Sequence, residues 1–422
     1  MIRILRGNLI SAPRLGRLDV VERGYMVLED GVIRGVYGQM PEEYAALPVT
    51  DYGNRLILQS FADMHLHAPQ YPMLGMGMDL PLLDWLNTYA FPTEARFSDP
   101  EYARAVYRTL AEELIANGTT RVCMFSSLHT EATWVLMEEL ERAGVTGYVG
   151  KVNMDRNGAP GLLQETTEES VRETIRWLDG CRFDHIKPIL TPRFTPSCTD
   201  KLMAELGRIA GERGLFVQSH LSESRQEMAW VRQLHPDCDR YWETYDKFGL
   251  WKDHTVMAHC VHSDEAERAA MRNAGVIAVH CPDSNVNICS GVCPVRQMLS
   301  EGVWVTLGSD IAGGDQLPMY RVITAAIRAS KNRRMMDEWA TGFLTVEEAY
   351  YLGTTSGHRF FGAGEGFAPG DRLHAVVVDD GDLPDSGRPL SLIQRFERAI
   401  YLMGTGNIAA VWSDGRLVAN NM

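Results

Sequence analysis

The chain has 422 residues, of which 45% are hydrophobic and 23% are charged. This composition is that of an ordinary folded protein and excludes the disordered, collagen-like and low-complexity classes. The formal net charge of −14 disfavours a protein that grips the phosphate backbone of nucleic acid, because such proteins need a basic face.

The two ends of the chain are predicted to form β-structure. At the N-terminal end we expect strands over 2–10, 25–29 and 32–37, with Asp30-Gly31 as a turn. At the C-terminal end the strands are predicted over 375–378 and 408–412, each followed by a turn with aspartate and glycine. Residues 1–55 and 365–422 are therefore expected to meet as one small β-sandwich domain.

The middle of the chain, residues 56–364, alternates short apolar runs with stretches of helical periodicity. The eight runs are 56–60 (continuing to His67), 119–127, 147–153, 185–193, 215–222, 255–261, 276–282 and 303–310. The helical stretches include 100–116, 131–143, 167–178, 201–212 and 265–273. This alternation predicts an α/β fold with a parallel (β/α)8 TIM-type barrel. An open doubly wound sheet is the alternative, but no GxGxxG motif follows an early strand.

Potential metal ligands stand at the ends of four predicted barrel strands. They are His65, His67, His220, His259 and Asp310. The carboxyl ends of barrel strands converge on one face, and residues two apart on a strand point to the same side. Neutral imidazole and carboxylate are the ligands of catalytic zinc and iron(II). A single buried histidine is more often held by a backbone carbonyl, but the repetition on several strands predicts a metal site.

Further residues near the same strand ends suggest catalysis and ligand binding. Glu223 follows His220 by three positions and can lie beside a water on the metal without ligating it, where a proton shuttle belongs. If His220 is not a ligand, Glu223 is a solvated surface charge. Arg193 offers a fork of donors to paired acceptors, Phe194 offers a ring face, and Gln70 offers an amide that donates and accepts.

The sequence also carries expectations about its surroundings. No window has 18 uninterrupted apolar residues, so no membrane span is expected. The first residues lack the apolar segment of a secretory signal. The eight cysteines contain no CxxC pair and do not resemble a secreted disulfide framework. We therefore expect a reduced, cytoplasmic protein.

Several segments together resemble a known family. They are 63–71 (DMHLHAPQY), 79–86 (DLPLLDWL), 91–94 (FPTE), 191–194 (TPRF), 218–223 (QSHLSE), 257–259 (MAH) and 307–314 (LGSDIAGG). These segments resemble the guanine deaminases of the amidohydrolase superfamily, in its mononuclear purine and pyrimidine deaminase branch. The histidines and Asp310 are general to the superfamily, whereas the DLPLL loop, TPRF and HxxE are narrower.

The resemblance implies zinc-dependent hydrolysis of guanine to xanthine and ammonia, with one zinc ion per chain and iron(II) as an alternative metal. The implied ligands are His65, His67, His220 and Asp310. In the same mechanism Asp310 accepts a proton from the attacking water, His259 orients that water, and Glu223 shuttles protons. The implied purine-binding residues are Gln70, Arg193 and Phe194. A homodimer is also implied, with no nucleic-acid or membrane partner.

Three other functions stay open at this point. The nearest is a deaminase for another heterocycle, such as 8-oxoguanine, a pterin or an aminotriazine, with the same metal site. The second is a hydrolase of cyclic amides with two metal ions, although the HxxE spacing favours one. The third is a scaffold without activity, although scaffolds tend to lose ligands and every ligand position is filled here.

Overall fold

The computed structural model describes residues 1–159, 162–336 and 342–422. Its strands in the described residues are β1 (Ile2–Arg14), β2 (Arg17–Glu29), β3 (Val32–Tyr37), β4 (Val49–Gln59), β5 (Phe61–His67), β6 (Thr119–Phe125), β7 (Thr146–Gly150), β8 (Val152–Asn153), β9 (Ile186–Pro188), β10 (Thr191–Pro192), β11 (Gln218–Leu221), β12 (Val256–His259), β13 (Ile277–His280), β14 (Trp304–Leu307), β15 (Ala375–Val378), β16 (Ile408–Ser413) and β17 (Arg416–Asn420).

The α-helices in the described residues alternate with the strands through the middle of the chain. They are α1 (Leu82–Trp85), α2 (Phe91–Ala95), α3 (Pro100–Ala116), α4 (Thr130–Ala143), α5 (Thr167–Gly180), α6 (Asp200–Arg213), α7 (Arg225–Leu234), α8 (Glu243–Asp246), α9 (Glu265–Ala274), α10 (Pro282–Asn287), α11 (Val295–Ser300), α12 (Met319–Met336), α13 (Val346–Gly353), α14 (Thr355–Phe360) and α15 (Leu392–Leu402). Several begin at side-chain caps, as α5 does at Thr166, whose hydroxyl accepts from the backbone N–H of Glu169.

The strands from both ends of the chain form one sheet of seven, in the order β17-β16-β15-β4-β1-β2-β3. The N-terminal and C-terminal strands meet where β15 pairs antiparallel with β4. The two termini therefore build one β domain, as expected. In the described residues its strands are hydrogen-bonded in one continuous order, and the predicted β-sandwich arrangement stays a prediction.

The middle of the chain forms the predicted parallel barrel. Two four-stranded sheets, β5-β6-β7-β9 and β11-β12-β13-β14, run parallel throughout. A parallel bridge from Leu190 to Val217 joins them on one side. On the other side the N–H of Asp310 donates to the carbonyl of His65 at 2.8 Å. These contacts close the barrel and bring the two ligand-bearing strand ends together.

The first barrel strand begins later than the sequence analysis placed it. Residues 56–59 belong to β4 in the terminal sheet, and the barrel strand is Phe61–His67. Every residue from Leu56 to His67 is buried, so one uninterrupted run crosses from the first sheet into the second. A run buried on both faces has no periodicity that could mark the change of sheet.

The described helices include none that is both long and apolar enough to cross a bilayer. All eight cysteines carry free thiols.

Candidate active site

The five potential metal ligands meet at the carboxyl end of the barrel. The structure groups His65, His67 and His220, and also His65, His259 and Asp310, with the donor atoms of each group within 4.8 Å of one another. The Nε2 atoms of His67 and His220 are 3.1 Å apart. Oδ1 of Asp310 lies 3.2 Å from Nε2 of His65 and 3.6 Å from Nε2 of His67. All five side chains are buried.

The protonation of this cluster suits a cation. Burial, together with the neighbouring imidazoles, holds the pKa of His67 and of His220 well below the ordinary value, so both rings are neutral. The Nδ1 of His220 donates to the carbonyl of Arg193 at 2.5 Å, which turns Nε2 toward the other donors. Burial raises the pKa of Asp310, but the imidazoles of His65 and His259 outweigh it and keep Asp310 ionised. Neutral nitrogens around one carboxylate fit a zinc or iron(II) ion.

His259 differs from the other three histidines in its charge environment. Its Nδ1 donates to Oδ1 of Asn285 at 2.9 Å, and its Nε2 lies 3.6 Å from Glu223 and 3.7 Å from Asp310. Burial opposes the charge of His259, but the carboxylates of Glu223 and Asp310 outweigh this and raise its pKa. His259 can therefore donate a hydrogen bond toward the space between the two carboxylates.

Asp63, which the sequence analysis did not assign a role, ties the first barrel strand to the last. Its Oδ2 accepts from the hydroxyl of Ser309 at 2.5 Å, and its Oδ1 accepts from the N–H of Ser309 at 2.9 Å and of His65 at 3.3 Å. Because Ser309 precedes Asp310, this carboxyl group fixes the backbone beside two of the potential ligands.

The backbone itself is constrained where the chain leaves the barrel strands. His259 and Asp310 have left-handed backbone torsions, with φ of 71° and 49°. Non-glycine residues rarely adopt this region, and its cost is sustained only where surrounding contacts enforce it. Here the enforced turns direct both side chains toward the same point.

Glu223 lies in the loop after β11, with its Oε2 3.6 Å from the same Nε2 atom of His259 that lies near Asp310. Its Oε1 accepts from the hydroxyl of Ser290 at 3.2 Å, and its own N–H donates to Oε2 of Glu227 at 3.0 Å. Burial raises the pKa of Glu223 to about 7, with a further contribution from the Glu227 carboxylate. A carboxyl group with this pKa can both give and accept a proton near neutral pH.

The predicted purine-binding residues stand in the same pocket. Gln70, Arg193, Phe194 and Glu223 line a cavity together with His67, His220, His259 and Asp310. Both terminal nitrogens of Arg193 donate to Glu94, at 2.6 and 2.9 Å, and the Nε2 of Gln70 donates to Glu94 at 2.8 Å. Glu94 thus links two of the three predicted binding residues.

An apolar wall completes the pocket. Leu82, Trp85, Leu86 and Ile288 line it, and sequence reasoning assigned none of them. The first three belong to the segment between β5 and α3, which packs through α1 and α2 into an apolar cluster with Phe125 and Met154. Their only signal in the sequence is the DLPLLDWL motif, which indicated the family without indicating a position in the pocket.

The comparisons with known proteins agree with this geometry. The chain matches the Amidohydrolase family over residues 56–418. Guanine deaminase of Dictyostelium discoideum is 33% identical, with 99% of this chain and 98% of the relative covered. Guanine deaminase of Homo sapiens is 35% identical, with 86% of this chain and 83% of the relative covered.

A solved structure is similar to this chain over the whole fold. The structure of guanine deaminase from C. acetobutylicum with bound guanine superposes with a TM-score of 0.96, at 40% identity, over 99% of this chain and 100% of that one. Together with the barrel, the terminal β domain and the cluster of imidazoles around one carboxylate, these similarities show that the chain belongs to the amidohydrolase family, in the group of the guanine deaminases.

Proposed function

We propose that this chain is a zinc-dependent guanine deaminase that hydrolyses guanine to xanthine and ammonia. The observation that carries the proposal is the content of one pocket. A cluster of metal-ligand donors, a buried carboxyl group with a pKa of about 7, and an arginine beside an amide all face the same cavity. The solved relative from C. acetobutylicum, of the same fold, has guanine in its active site.

One metal ion per chain is proposed, held by three imidazoles and one carboxylate. The ligands are His65, His67, His220 and Asp310. Zinc suits this set, with iron(II) as the alternative. When bound, the ion supplies Lewis acidity that makes hydroxide available near neutral pH.

The side chains then move protons between water and the purine. Asp310 accepts a proton from the attacking water, and His259, held by Asn285, orients that water. As the new bond forms between the water oxygen and C2 of guanine, Glu223 gives a proton to the ring nitrogen N3. Protonation of N3 neutralises the charge that the attack places on the ring.

The amine at C2 leaves as ammonia after it receives a proton. Glu223, which has given its own proton to N3, takes the remaining proton from the new hydroxyl group at C2. Asp310 gives the proton that it took from water to the amine, so that the C2–N bond breaks as the carbonyl group forms at C2. Xanthine remains in the pocket. Guanine and one water are thereby converted into xanthine and ammonia, and both carboxylates regain their starting protonation states.

The substrate is selected by Gln70, Arg193 and Phe194, which line the same pocket as the metal-ligand donors. Guanine presents O6 and N7 as neighbouring acceptors, and the guanidinium of Arg193 matches such a pair. Phe194 offers a ring against which the purine can pack, and the amide of Gln70 adds a donor and an acceptor.

An assay of ammonia release tests the proposal directly. The purified protein is given guanine, 8-oxoguanine, a pterin and an aminotriazine, and initial rates are compared. We expect the highest kcat/KM with guanine. A higher value with one of the other heterocycles would move the assignment to that substrate, and no release from any of them would contradict a deaminase.

A first prediction concerns Arg193 and the choice between purines. Adenine carries an amine donor where guanine has O6, and its amine is at C6, so the wild-type protein should leave adenine essentially untouched. A site built on hydrogen bonds rejects an analogue that lacks them by about 10⁴–10⁵. Arg193→Met should lower kcat/KM for guanine by about 10²-fold or more, because the purine loses its charge-assisted hydrogen bonds with the guanidinium. Kinetics with both purines and metal analysis of both proteins check this. Comparable turnover of adenine, or a harmless Arg193→Met, would remove Arg193 as the reader of the purine edge.

A second prediction concerns Asp63. Asp63→Ala leaves the buried N–H groups of Ser309 and His65 without their acceptor. We expect the free energy of unfolding to fall by roughly 2–5 kcal/mol, because each unsatisfied buried group costs about 1–3 kcal/mol. Metal affinity should fall about 10–100-fold, as it does when support for a ligand is lost. Asp63→Asn keeps an acceptor and is the matched control. Urea unfolding and metal competition measure both quantities, and equal losses in the two variants would contradict this role.

We also propose that the protein works in the cytoplasm as a homodimer. The eight free thiols suit a reducing compartment. Light scattering during size-exclusion chromatography tests the dimer, and a monomeric mass would contradict it.

A further inference from the structure

Glu94 stands out because it is buried and bound entirely to residues that face the substrate. Its side chain is 1% exposed. Its Oε2 accepts from Nη1 of Arg193 at 2.6 Å, and its Oε1 accepts from Nη2 of Arg193 at 2.9 Å and from Nε2 of Gln70 at 2.8 Å. A carboxylate buried for stability alone has no need to bind both of these residues.

We propose that Glu94 is a positioning residue that orients Arg193 and Gln70 and thereby determines the preference for a purine with a carbonyl oxygen at C6. This inference rests on the proposed function. Glu94 acts through the two side chains that it binds.

Glu94 leaves Arg193 with one free edge. The contact uses one hydrogen on each terminal nitrogen, so the Nε–H and the second hydrogen of Nη2 remain as a pair on one side of the guanidinium. Other neighbours hold the plane in place, since the ring centre of Phe91 is 5.1 Å from the guanidinium carbon and the sulfur of Met154 is 4.0 Å from Nη1. Two parallel donors in a fixed plane match two neighbouring acceptors.

Glu94 also decides which way the amide of Gln70 points. Nε2 faces the carboxylate of Glu94, and Oε1 accepts from the N–H of Ala312 at 3.1 Å. If the amide of Gln70 were reversed, its carbonyl oxygen would face the carboxylate of Glu94, where two acceptors would repel each other. Its NH2 group would then face the N–H of Ala312, where two donors would repel each other. Both contacts therefore select the same orientation, and the charge of Glu94 supplies the stronger of the two penalties.

The charge of Glu94 has a second effect on ligand choice. Arg193 is buried, and the carboxylate of Glu94 neutralises it within the pocket. Because Glu94 already balances the charge of Arg193, a purine without a negative charge can bind beside it. The Nε–H and the second hydrogen of Nη2 of Arg193 still need acceptors on that purine. A ring that lacks an oxygen at C6 leaves at least one of these donors unpaired.

The ratio of two substrates tests this role. 2-Aminopurine carries the same amine at C2 but has hydrogen in place of the oxygen at C6. We measure kcat/KM for guanine and for 2-aminopurine in the wild-type protein and in Glu94→Gln. The variant should lose about 10–100-fold with guanine, the size of a charge-assisted hydrogen bond, and much less with 2-aminopurine. Metal content should not change.

Glu139→Gln is the matched control. Glu139 is also 1% exposed and also bound to arginines, Arg104 and Arg142 among them, but it lies between α3 and α4 on the outside of the barrel. The loss of this buried charge should leave the substrate ratio unchanged. A change in the ratio that Glu139→Gln shares would mean that general destabilisation, and not positioning, caused it.

A double-mutant cycle with Arg193→Met completes the test. If Glu94 acts through Arg193, the double variant is at least as active on guanine as Arg193→Met alone, because it no longer buries an unpaired carboxylate. The double variant also covers the case in which Glu94→Gln does not fold, since it lacks both charges.

Two results would overturn the inference. They are an equal loss with both substrates in Glu94→Gln, and losses that multiply in full in the double variant. A wild-type protein that releases no ammonia from guanine would overturn the proposed function and this inference together, whereas an active wild type with an unchanged ratio in Glu94→Gln overturns the inference alone.

Discussion

Replacing His220 with alanine is expected to remove the metal and to lower guanine hydrolysis by more than about 10³-fold. Without the ion, the pKa of the attacking water stays far above the value of about 7 that a zinc-bound water can have, and no side chain of the pocket is basic enough to compensate. Nε2 of His220 lies 3.1 Å from Nε2 of His67, and its Nδ1 is held by the carbonyl of Arg193. A water molecule that takes the place of Nε2 of His220 in the variant would bind the metal ion more weakly than this fixed nitrogen does.

Elemental analysis of the purified proteins checks the expectation. The wild-type protein should contain about one zinc or iron per chain. The matched control is His280→Ala, because His280 is a buried histidine at the end of β13 that lies outside the cluster of potential ligands. The control should keep its metal. A content near two ions per chain would contradict the mononuclear site, and full activity after chelation would contradict a role for metal.

The position of the donor cluster could be predicted from the sequence because it depends on topology alone. His65, His220 and Asp310 each follow a short apolar run, and in a parallel barrel the carboxyl ends of such runs converge. The separation of 90 or more residues between them did not matter. The regular alternation of strands and helices is enough to place them on one face.

The partner of Arg193 could not be predicted in the same way. Glu94 is 99 positions away in the chain and lies on α2, in an irregular segment that follows β5. No periodicity places a helix of five residues against a barrel strand, since its position depends on packing against Phe125 and Met154. The FPTE motif was part of the resemblance, but the motif alone does not show what the carboxylate of Glu94 binds. Its three hydrogen bonds with Arg193 and Gln70 are evident only in the folded chain.

The terminal β domain shows a similar limit. The sequence indicated strands at both ends and their association, but the order of the seven strands depends on the pairing of β1 with β4 and of β4 with β15. These pairings are non-local, and the burial of residues 56–59 on both faces gave no indication of which sheet they join. The result is a single sheet that continues almost directly into the first barrel strand.

Replacing Glu223 with glutamine is expected to lower kcat for guanine by about 10²–10⁴-fold while the metal is retained. This is the range for the loss of a general acid or base. Glutamine keeps the size of the side chain and an oxygen that can accept from Ser290, so the pocket should keep its shape. The property it loses is titration, because an amide cannot give a proton to N3 and take up another within the same cycle.

A second buried glutamate provides the matched control for Glu223. Burial raises the pKa of Glu267 to about 7, as it does for Glu223, and the hydroxyl of Ser263 donates to Glu267 at 2.6 Å. Glu267 is absent from the lining of the pocket that holds the donor cluster. Glu267→Gln should therefore keep kcat near the wild-type value.

Steady-state kinetics with guanine and metal analysis of both variants separate the two cases. If Glu223→Gln turns over guanine at the wild-type rate, or if the control loses as much, the proton that reaches N3 must come from another group, and His259, 3.6 Å from Glu223, is then the residue to test.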